Sequence, residues 1–413
     1  MKIKLLFTLT LLSLVLFFGC KSSQNTKTNV VTIGFWESED SVIAPYLDSI
    51  IVNFEKANPG VKVVRTHYAV EDLHTQFQSA SIAGSPPDLL LTASDKAGLF
   101  VSSGLIMPLS GQFDFSQYVD NAVDAVIQDG KTWGVPNNYG NQLMLYYNTD
   151  YIKTPPKTTN DLIKICDEII KKKSKNNPTK NMTCLEMNQG EPFWLVPILT
   201  SFGGWPIEGH NPNLDTDAMV KSLDFIKNLK KKNYVSQECD YNCMDSMFKE
   251  GNTAMIFNGD WTIGAYIDSM KGKMKITTLP VNSETGIRMR PMVSGKYFFV
   301  SSFVKQDELE YVKKLINMMN SAENQNRMMN ELKKLPALKS VFDSGQIRRD
   351  PFFSVMAKQI EYGEAMPSVV EMRAVWDIVR QYQGLVLSDK MDSATAAKRM
   401  QEEVLKRIKE MKM

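Results

Sequence analysis

The chemically informative feature of this chain is a set of aromatic side chains that stand beside charged or amide groups. Phe193 and Trp194 follow Glu191-Pro192, Trp261 follows Asn258-Gly259-Asp260, and Trp376 precedes Arg380 by four residues. On a helix that last spacing puts both side chains on one face. Aromatic faces stack on the apolar faces of sugar rings, while carboxylates and guanidinium groups satisfy the hydroxyls. A hydroxyl buried without a partner costs about 1–3 kcal/mol, so both halves of the pattern are needed. The combination suits a polyhydroxylated ligand. Taken singly, each tryptophan is more often a core residue. Signals for covalent chemistry are missing by comparison. The three histidines are His67, His74 and His210, and His67 and His74 are too far apart for a helical i,i+4 metal pair. There is no His-Glu-x-x-His helix, no Gly-x-Ser-x-Gly elbow and no Gly-x4-Gly-Lys-Ser/Thr phosphate loop. Glycoside hydrolysis needs two carboxyl groups flanking one bond, and spacing alone does not reveal such a pair among 46 acidic residues.

The elements that would position these residues are those of an α/β chain. Residues 30–36 read as a buried strand. Residues 43–57 follow at helical spacing, with Ile43, Leu47, Ile50, Ile51 and Phe54 on one face and Asn58-Pro59-Gly60 as the stop. Val61–Val64 is a second strand, residues 71–83 a helix, and Asp88–Leu91 a third strand after the turn Gly84-Ser85-Pro86-Pro87. This alternation predicts a parallel sheet with right-handed crossovers. Further helices are expected at 159–173, 216–231, 307–320 and 391–411, with a strand at Ala254–Phe257. The run Lys171-Lys172-Lys173 suits a solvated helix C-terminus.

With 413 residues the chain exceeds what one hydrophobic core usually serves, so two lobes are expected. The charge is close to balanced, 48 Lys and Arg against 46 Asp and Glu, which argues against a nucleic-acid partner. Lys2 and Lys4 precede a run, Leu5–Phe18, that is apolar except for Thr8, Thr10 and Ser13. The run is shorter than the roughly 20 residues of a membrane-crossing helix and suits a signal peptide. It ends at Leu16-Phe17-Phe18-Gly19-Cys20, before a wholly polar Lys21–Thr26. That pattern resembles a bacterial lipobox, with Phe17 where leucine is usual. The expectation is a lipoprotein signal over 1–19, a lipidated Cys20, and a flexible tether over 20–29. A plain cleavable signal is the alternative. Four other cysteines remain: Cys166, Cys184, Cys239 and Cys243. They permit two disulfides in three connectivities, of which 166–184 with 239–243 is the simplest. A zinc site is the metal alternative, though only Cys239-x3-Cys243 has zinc-like spacing.

Several segments carry a resemblance to the extracellular solute-binding proteins of ABC importers, and within them to the maltose/maltodextrin-binding group. Early landmarks are Ser85-Pro86-Pro87-Asp88-Leu89-Leu90 and Ser103-Gly104-Leu105. Gly134-Val135-Pro136, Leu145-Tyr146-Tyr147-Asn148 and Pro155-Pro156-Lys157-Thr158 resemble the passage into the second lobe. Most specific are Asn188–Trp194, Phe248–Met255 through Asn258–Trp261, and Ala365-Met366-Pro367 through Trp376–Arg380. The resemblance runs from about residue 30 to 400. It implies a two-lobe periplasmic-binding-protein fold, α/β, with a ligand cleft between lobes joined by crossing hinge strands. The first lobe would comprise 30–140 and 281–345, the second 141–280 and 346–413.

Carried across residue by residue, the resemblance implies Glu191 and Phe193 as polar and stacking contacts, Trp261 and Trp376 as stacking platforms, and Tyr241 and Arg380 beside them. From the first lobe it implies Asp40, Asp95 and Lys96, the last standing where the maltose group has arginine. Near the first crossing Asn141 falls about where that group has glutamate, and a one-residue insertion makes Tyr139 the alternative. Thr92 replaces a stacking tryptophan and Ser41 a lysine, so the second-lobe half of the pocket is the better kept. The implied protein is a monomeric, membrane-anchored sugar or oligosaccharide carrier of the cell envelope. It delivers to ABC permease subunits, uses no cofactor or metal, and is not an enzyme. Its rivals are a carrier of a polyol or glycerophosphodiester, a lipid-anchored carbohydrate-active enzyme, and a protein-binding surface lipoprotein.

Overall fold

A computed structural model describes residues 30–39, 41–176 and 182–411. The expected leader 1–19, Cys20, the tether up to residue 29 and Asp40 lie outside the described residues. The chain opens with β1 (Val31–Glu37), α1 (Ala44–Ala57), β2 (Val61–His67), α2 (Val70–Ile82), β3 (Leu89–Ala93) and α3 (Ala97–Ser102). β1 pairs in parallel with both β2 and β3. β3 is buried along its whole length, which is why it reads as an unbroken apolar run rather than an alternating one. α1 lays Leu47, Ile50, Ile51 and Phe54 of the expected stripe on the sheet and adds Tyr46, while Ile43 is buried in the turn just before the helix.

After the short β4 (Val135–Pro136) the chain leaves this sheet and builds a second one. There β5 (Leu143–Asn148), α4 (Thr159–Asn176), β6 (Thr183–Glu186), α5 (Val196–Ser201), α6 (Asp217–Lys231), α7 (Tyr241–Lys249), β7 (Thr253–Gly259), α8 (Ile263–Met270) and β8 (Met274–Thr277) follow. The strand order is β8-β5-β7-β6, with only β7 and β6 parallel. Its core is aromatic: the Tyr146 and Tyr266 rings meet edge-on at 5.2 Å, and Phe248 lies 4.9 Å from Tyr266.

The return to the first lobe comes later than the sequence suggests. The Val281 amide donates to the Lys157 carbonyl at 2.9 Å, and the Arg290 carbonyl accepts from the Thr200 hydroxyl at 2.9 Å. Residues 281–290 are therefore bonded to the second lobe. The chain rejoins the first sheet through β9 (Met292–Val293) and β10 (Lys296–Val300). β10 runs antiparallel between β3 and β4, so the first sheet is mixed, order β2-β1-β3-β10-β4, not purely parallel as expected. α9 (Gln306–Met319) and α10 (Ala322–Leu332) cover it. The chain then crosses once more into α11 (Phe353–Tyr362), β11 (Glu364–Ala365), α12 (Glu371–Leu387) and α13 (Ser393–Met411). β11 pairs with β9 beneath the second lobe.

The outward crossing and the return crossing lie side by side. Gly140 and Ser294 exchange both backbone hydrogen bonds, at 3.0 and 2.9 Å. A Cβ on Gly295 would sit 2.1 Å from the Asn138 carbonyl oxygen, so only glycine admits that backbone contact. Disulfides join Cys166 to Cys184, linking α4 to β6, and Cys239 to Cys243 at the start of α7. Among the described residues no helix is long and apolar enough to cross a membrane, and no group of three or more His, Cys, Asp or Glu could hold a metal ion.

Candidate functional site

A cleft of about 570 Å³ opens between the two sheets, within the range of small-ligand sites. Its two walls differ in chemistry. The second-lobe wall is aromatic and is built at the end of β7. Asn258, fully buried, donates from its side-chain amide to the Tyr266 hydroxyl at 2.7 Å and anchors the strand end. Gly259 comes next, and the Trp261 indole folds back over it. A Cβ at 259 would lie 1.9 Å from the indole, so glycine is required there. The indole N–H donates to the Tyr241 hydroxyl at 2.9 Å. Trp194 donates its own N–H to the Phe257 carbonyl at 2.7 Å, which ties the 192–194 turn to the same strand. The rings of Phe193, Trp194, Tyr241 and Trp261 form one cluster with neighbouring centroids 5.8 to 6.3 Å apart. Tilted and edge-on pairs of this kind hold each ring's orientation.

α12 closes this wall. Trp376 and Arg380 both face the cleft, as their four-residue spacing requires. Arg380 donates to Glu191 at 2.9 Å and to Asp377 at 3.3 Å, which fixes the loop carrying Phe193 to the helix.

Among the described residues, the first-lobe wall has no aromatic ring. Thr92 is fully buried, accepts from the Ser38 hydroxyl at 2.9 Å, and does not reach the cleft. In place of a ring stand Ser38, Glu39, Asp95, Lys96, Lys296 and Lys334. Lys334 lies 2.5 Å from Glu39, Lys96 lies 3.0 Å from Asp95, and Lys296 donates to the Ser38 carbonyl at 2.8 Å. Burial pushes the Glu39 carboxyl up, but the ammonium groups of Lys334 and Lys296 outweigh it and hold the group below its usual range. Among the described residues, Oε1 of Glu39 and Oδ1 of Asp95 are buried without a hydrogen-bond partner. Both residues line the cleft.

At the base, Asn141 joins the walls. It takes a left-handed backbone conformation, φ 56°, and its amide donates to Asp260 Oδ2 at 3.1 Å while its side chain donates to the Ser294 hydroxyl at 3.1 Å. Burial lifts the Asp260 carboxyl to about 7, against the opposing pull of Lys334. At the mouth the lobes touch. Arg373 of α12 donates to His74 of α2 at 2.5 Å, and a Cβ on Gly98 of α3 would strike the Ser368 carbonyl oxygen at 1.9 Å.

The cleft thus brings together Asp95, Lys96, Asn141, Glu191, Phe193, Tyr241, Trp261, Trp376 and Arg380 from among the residues named from sequence. Tyr139 is not with them and has to be corrected. Its ring is buried 6.1 Å from that of Phe342, and its amide donates to the Leu335 carbonyl. The left-handed turn at Asn141 breaks the strand alternation that would put 139 and 141 on one side. Sequence reasoning missed Glu39, Lys296, Lys334, Arg373 and, as a wall residue, Trp194. Trp194 was legible beside Phe193, and Arg373 one helical turn before Trp376. Lys334 follows an ordinary surface helix and carries no sequence signal.

Residues 49–354 match the family described as bacterial extracellular solute-binding protein. The galactooligosaccharide-binding protein of Bacillus subtilis is 26% identical over 374 residues, covering 87% of this chain and 85% of that protein. A maltooligosaccharide ABC transporter solute-binding lipoprotein of Streptococcus pneumoniae is 24% identical over 366 residues, covering 85% of this chain and 83% of that protein. Among solved structures, the maltose/maltodextrin-binding domain MalE from Bdellovibrio bacteriovorus, bound to maltotriose, superposes with a TM-score of 0.85 and 30% identity. It covers 92% of this chain and 100% of the domain.

Proposed function

The chain belongs to the bacterial extracellular solute-binding proteins, and we propose that it captures a sugar or short oligosaccharide for an ABC importer. The observation that carries this reading is the pairing of walls: four clustered rings and Trp376 face two carboxylates whose buried acceptor oxygens lack donors. A sugar ring supplies what both walls lack, an apolar face for the indoles and hydroxyl donors for Glu39 and Asp95. Lys96, Lys334 and Arg380 already face carboxylates, which favours a neutral hydroxylated ligand over a phosphodiester. The names of the relatives agree: they bind galactooligosaccharide, maltooligosaccharide and maltotriose.

The mechanism is binding without covalent change. Ligand that touches both walls favours the closed cleft by its differential affinity for closed over open, and the paired crossing strands at Gly140 and Ser294 absorb the rotation. The closed form then docks on the permease subunits. The lipobox-like Gly19-Cys20 supports anchoring through a lipidated Cys20, as does the name of the streptococcal lipoprotein. A thermal-shift screen against mono-, di- and oligosaccharides, polyols and glycerophosphodiesters tests the reading, since ligand bound only by the folded state raises the melting temperature. A saturable shift with one sugar series, and sugar recovered unchanged, is expected. A flat response across all sugars contradicts it.

A further inference from the structure

The segment Cys239-Asp240-Tyr241-Asn242-Cys243 is a covalent ring, closed by the disulfide with the two Cα atoms 5.3 Å apart. Tyr241 is its central residue and the first residue of α7. Contacts from this ring run to the ligand wall. The Tyr241 hydroxyl accepts the Trp261 indole N–H at 2.9 Å, and its ring stands edge-on to Trp194 at 6.1 Å. The Cys239 carbonyl accepts the Gln189 amide at 3.2 Å, in the loop between the cleft residues Asn188 and Glu191.

A disulfide that spans so few residues restricts little of the unfolded chain compared with one closing a long loop. Nor is it needed to start the helix, because the Asp240 side chain already caps it by accepting the Cys243 amide at 2.9 Å. It acts instead on the one feature the cap does not fix. The first turn of a helix frays, and Tyr241 sits in that turn. The bond from the residue before the cap to the third helical residue holds Tyr241 on both sides.

We propose that the Cys239–Cys243 disulfide is a positioning element of the ligand site, holding Tyr241 so that the Trp261 indole keeps the orientation in which it stacks on ligand. This rests on the functional reading above and deepens it. Tyr241 is the residue through which the disulfide acts, so the effects of losing each are not additive.

The test is a cycle of three variants, each compared with the full-length protein for maltotriose affinity: Cys239→Ser with Cys243→Ser, Tyr241→Ala, and all three together. The double serine variant is expected to bind roughly three- to tenfold more weakly, the scale of one misplaced hydrogen bond. The triple variant is expected to match Tyr241→Ala, because nothing is left to position. Unchanged affinity in the double variant overturns the proposal, and so does a triple variant whose loss is the product of the other two. Asp240→Ala removes the cap and keeps the ring, and is expected to stay within about twofold of the original affinity. A loss there as large as in the double serine variant assigns the positioning to the cap and overturns the proposal. A readout without ligand separates this inference from the functional one. Quenching of tryptophan fluorescence by acrylamide should rise in the double serine variant as Trp261 loses its held partner. Unchanged quenching overturns the proposal even if the protein binds no sugar.

Discussion

Each tryptophan that lines the cleft is held by a neighbouring group of the same wall. Trp261 rests on Gly259 and Tyr241, Trp194 on the Phe257 carbonyl, and Trp376 rides a helix whose Arg380 is tied to Glu191. Trp261→Ala and Trp376→Ala should each weaken sugar binding by about 1–3 kcal/mol through lost stacking and burial, with the fold intact. Titration calorimetry beside a melting curve checks both halves. Gly259→Ala should cost as much affinity as Trp261→Ala, because its methyl group takes the place of the indole. These residues were legible because aromatic side chains beside carboxylates are conspicuous in a sequence. Glu39 and Lys334 were not. They meet across 295 residues of chain, and a single lysine after a helix looks like any solvated lysine.

The elements explain which residues end at the cleft. β7 ends in Asn258 and Gly259, and Asp260 in the turn that follows receives the Asn141 amide from the crossing segment. Burial raises the Asp260 carboxyl from 3.8 to about 7, so between those values the folded protein holds a proton that the unfolded chain has released. Stability from this group is full below about 3.8 and is lost as the pH rises through about 7. Melting temperature should therefore rise as the pH falls from about 8 to about 5, and Asp260→Asn, which stays neutral, should flatten that slope. Glu39 acts in the opposite sense and at lower pH: its lowered carboxyl contributes stability above the ordinary value of 4.5 that is lost in stronger acid. The Cys166–Cys184 bond spans 18 residues and ties α4 to β6, and neither cysteine lines the cleft. Replacing both by serine should lower stability by about 3 kcal/mol and leave ligand affinity unchanged, as denaturant melts and calorimetry would show. The order β1-α1-β2-α2-β3 was readable because its helices show one apolar stripe and its strands are bounded by Asn-Pro-Gly and Gly-Ser-Pro-Pro turns. The antiparallel β10 and the late return were not readable, since residues 281–290 form turns bonded to the second lobe with no periodicity of their own.

At the scale of the molecule, two sheets with unlike walls share one cleft, and the backbone passing between them is paired at Gly140 and Ser294. The contacts of Arg373 with His74 and of Gly98 with Ser368 join the two lobes directly. Under the proposed function, ligand that bridges Trp261 and Asp95 would favour the closed state. Under the proposed function a sugar fills the space between the aromatic wall and the two carboxylates. Isothermal titration of the protein with maltotriose and with galactooligosaccharides, repeated on the Trp261→Ala/Trp376→Ala double variant, tests it most directly. Saturable one-site binding to at least one of these sugars is expected, and its loss in the double variant. Binding of neither sugar, or binding that survives both substitutions, would contradict it.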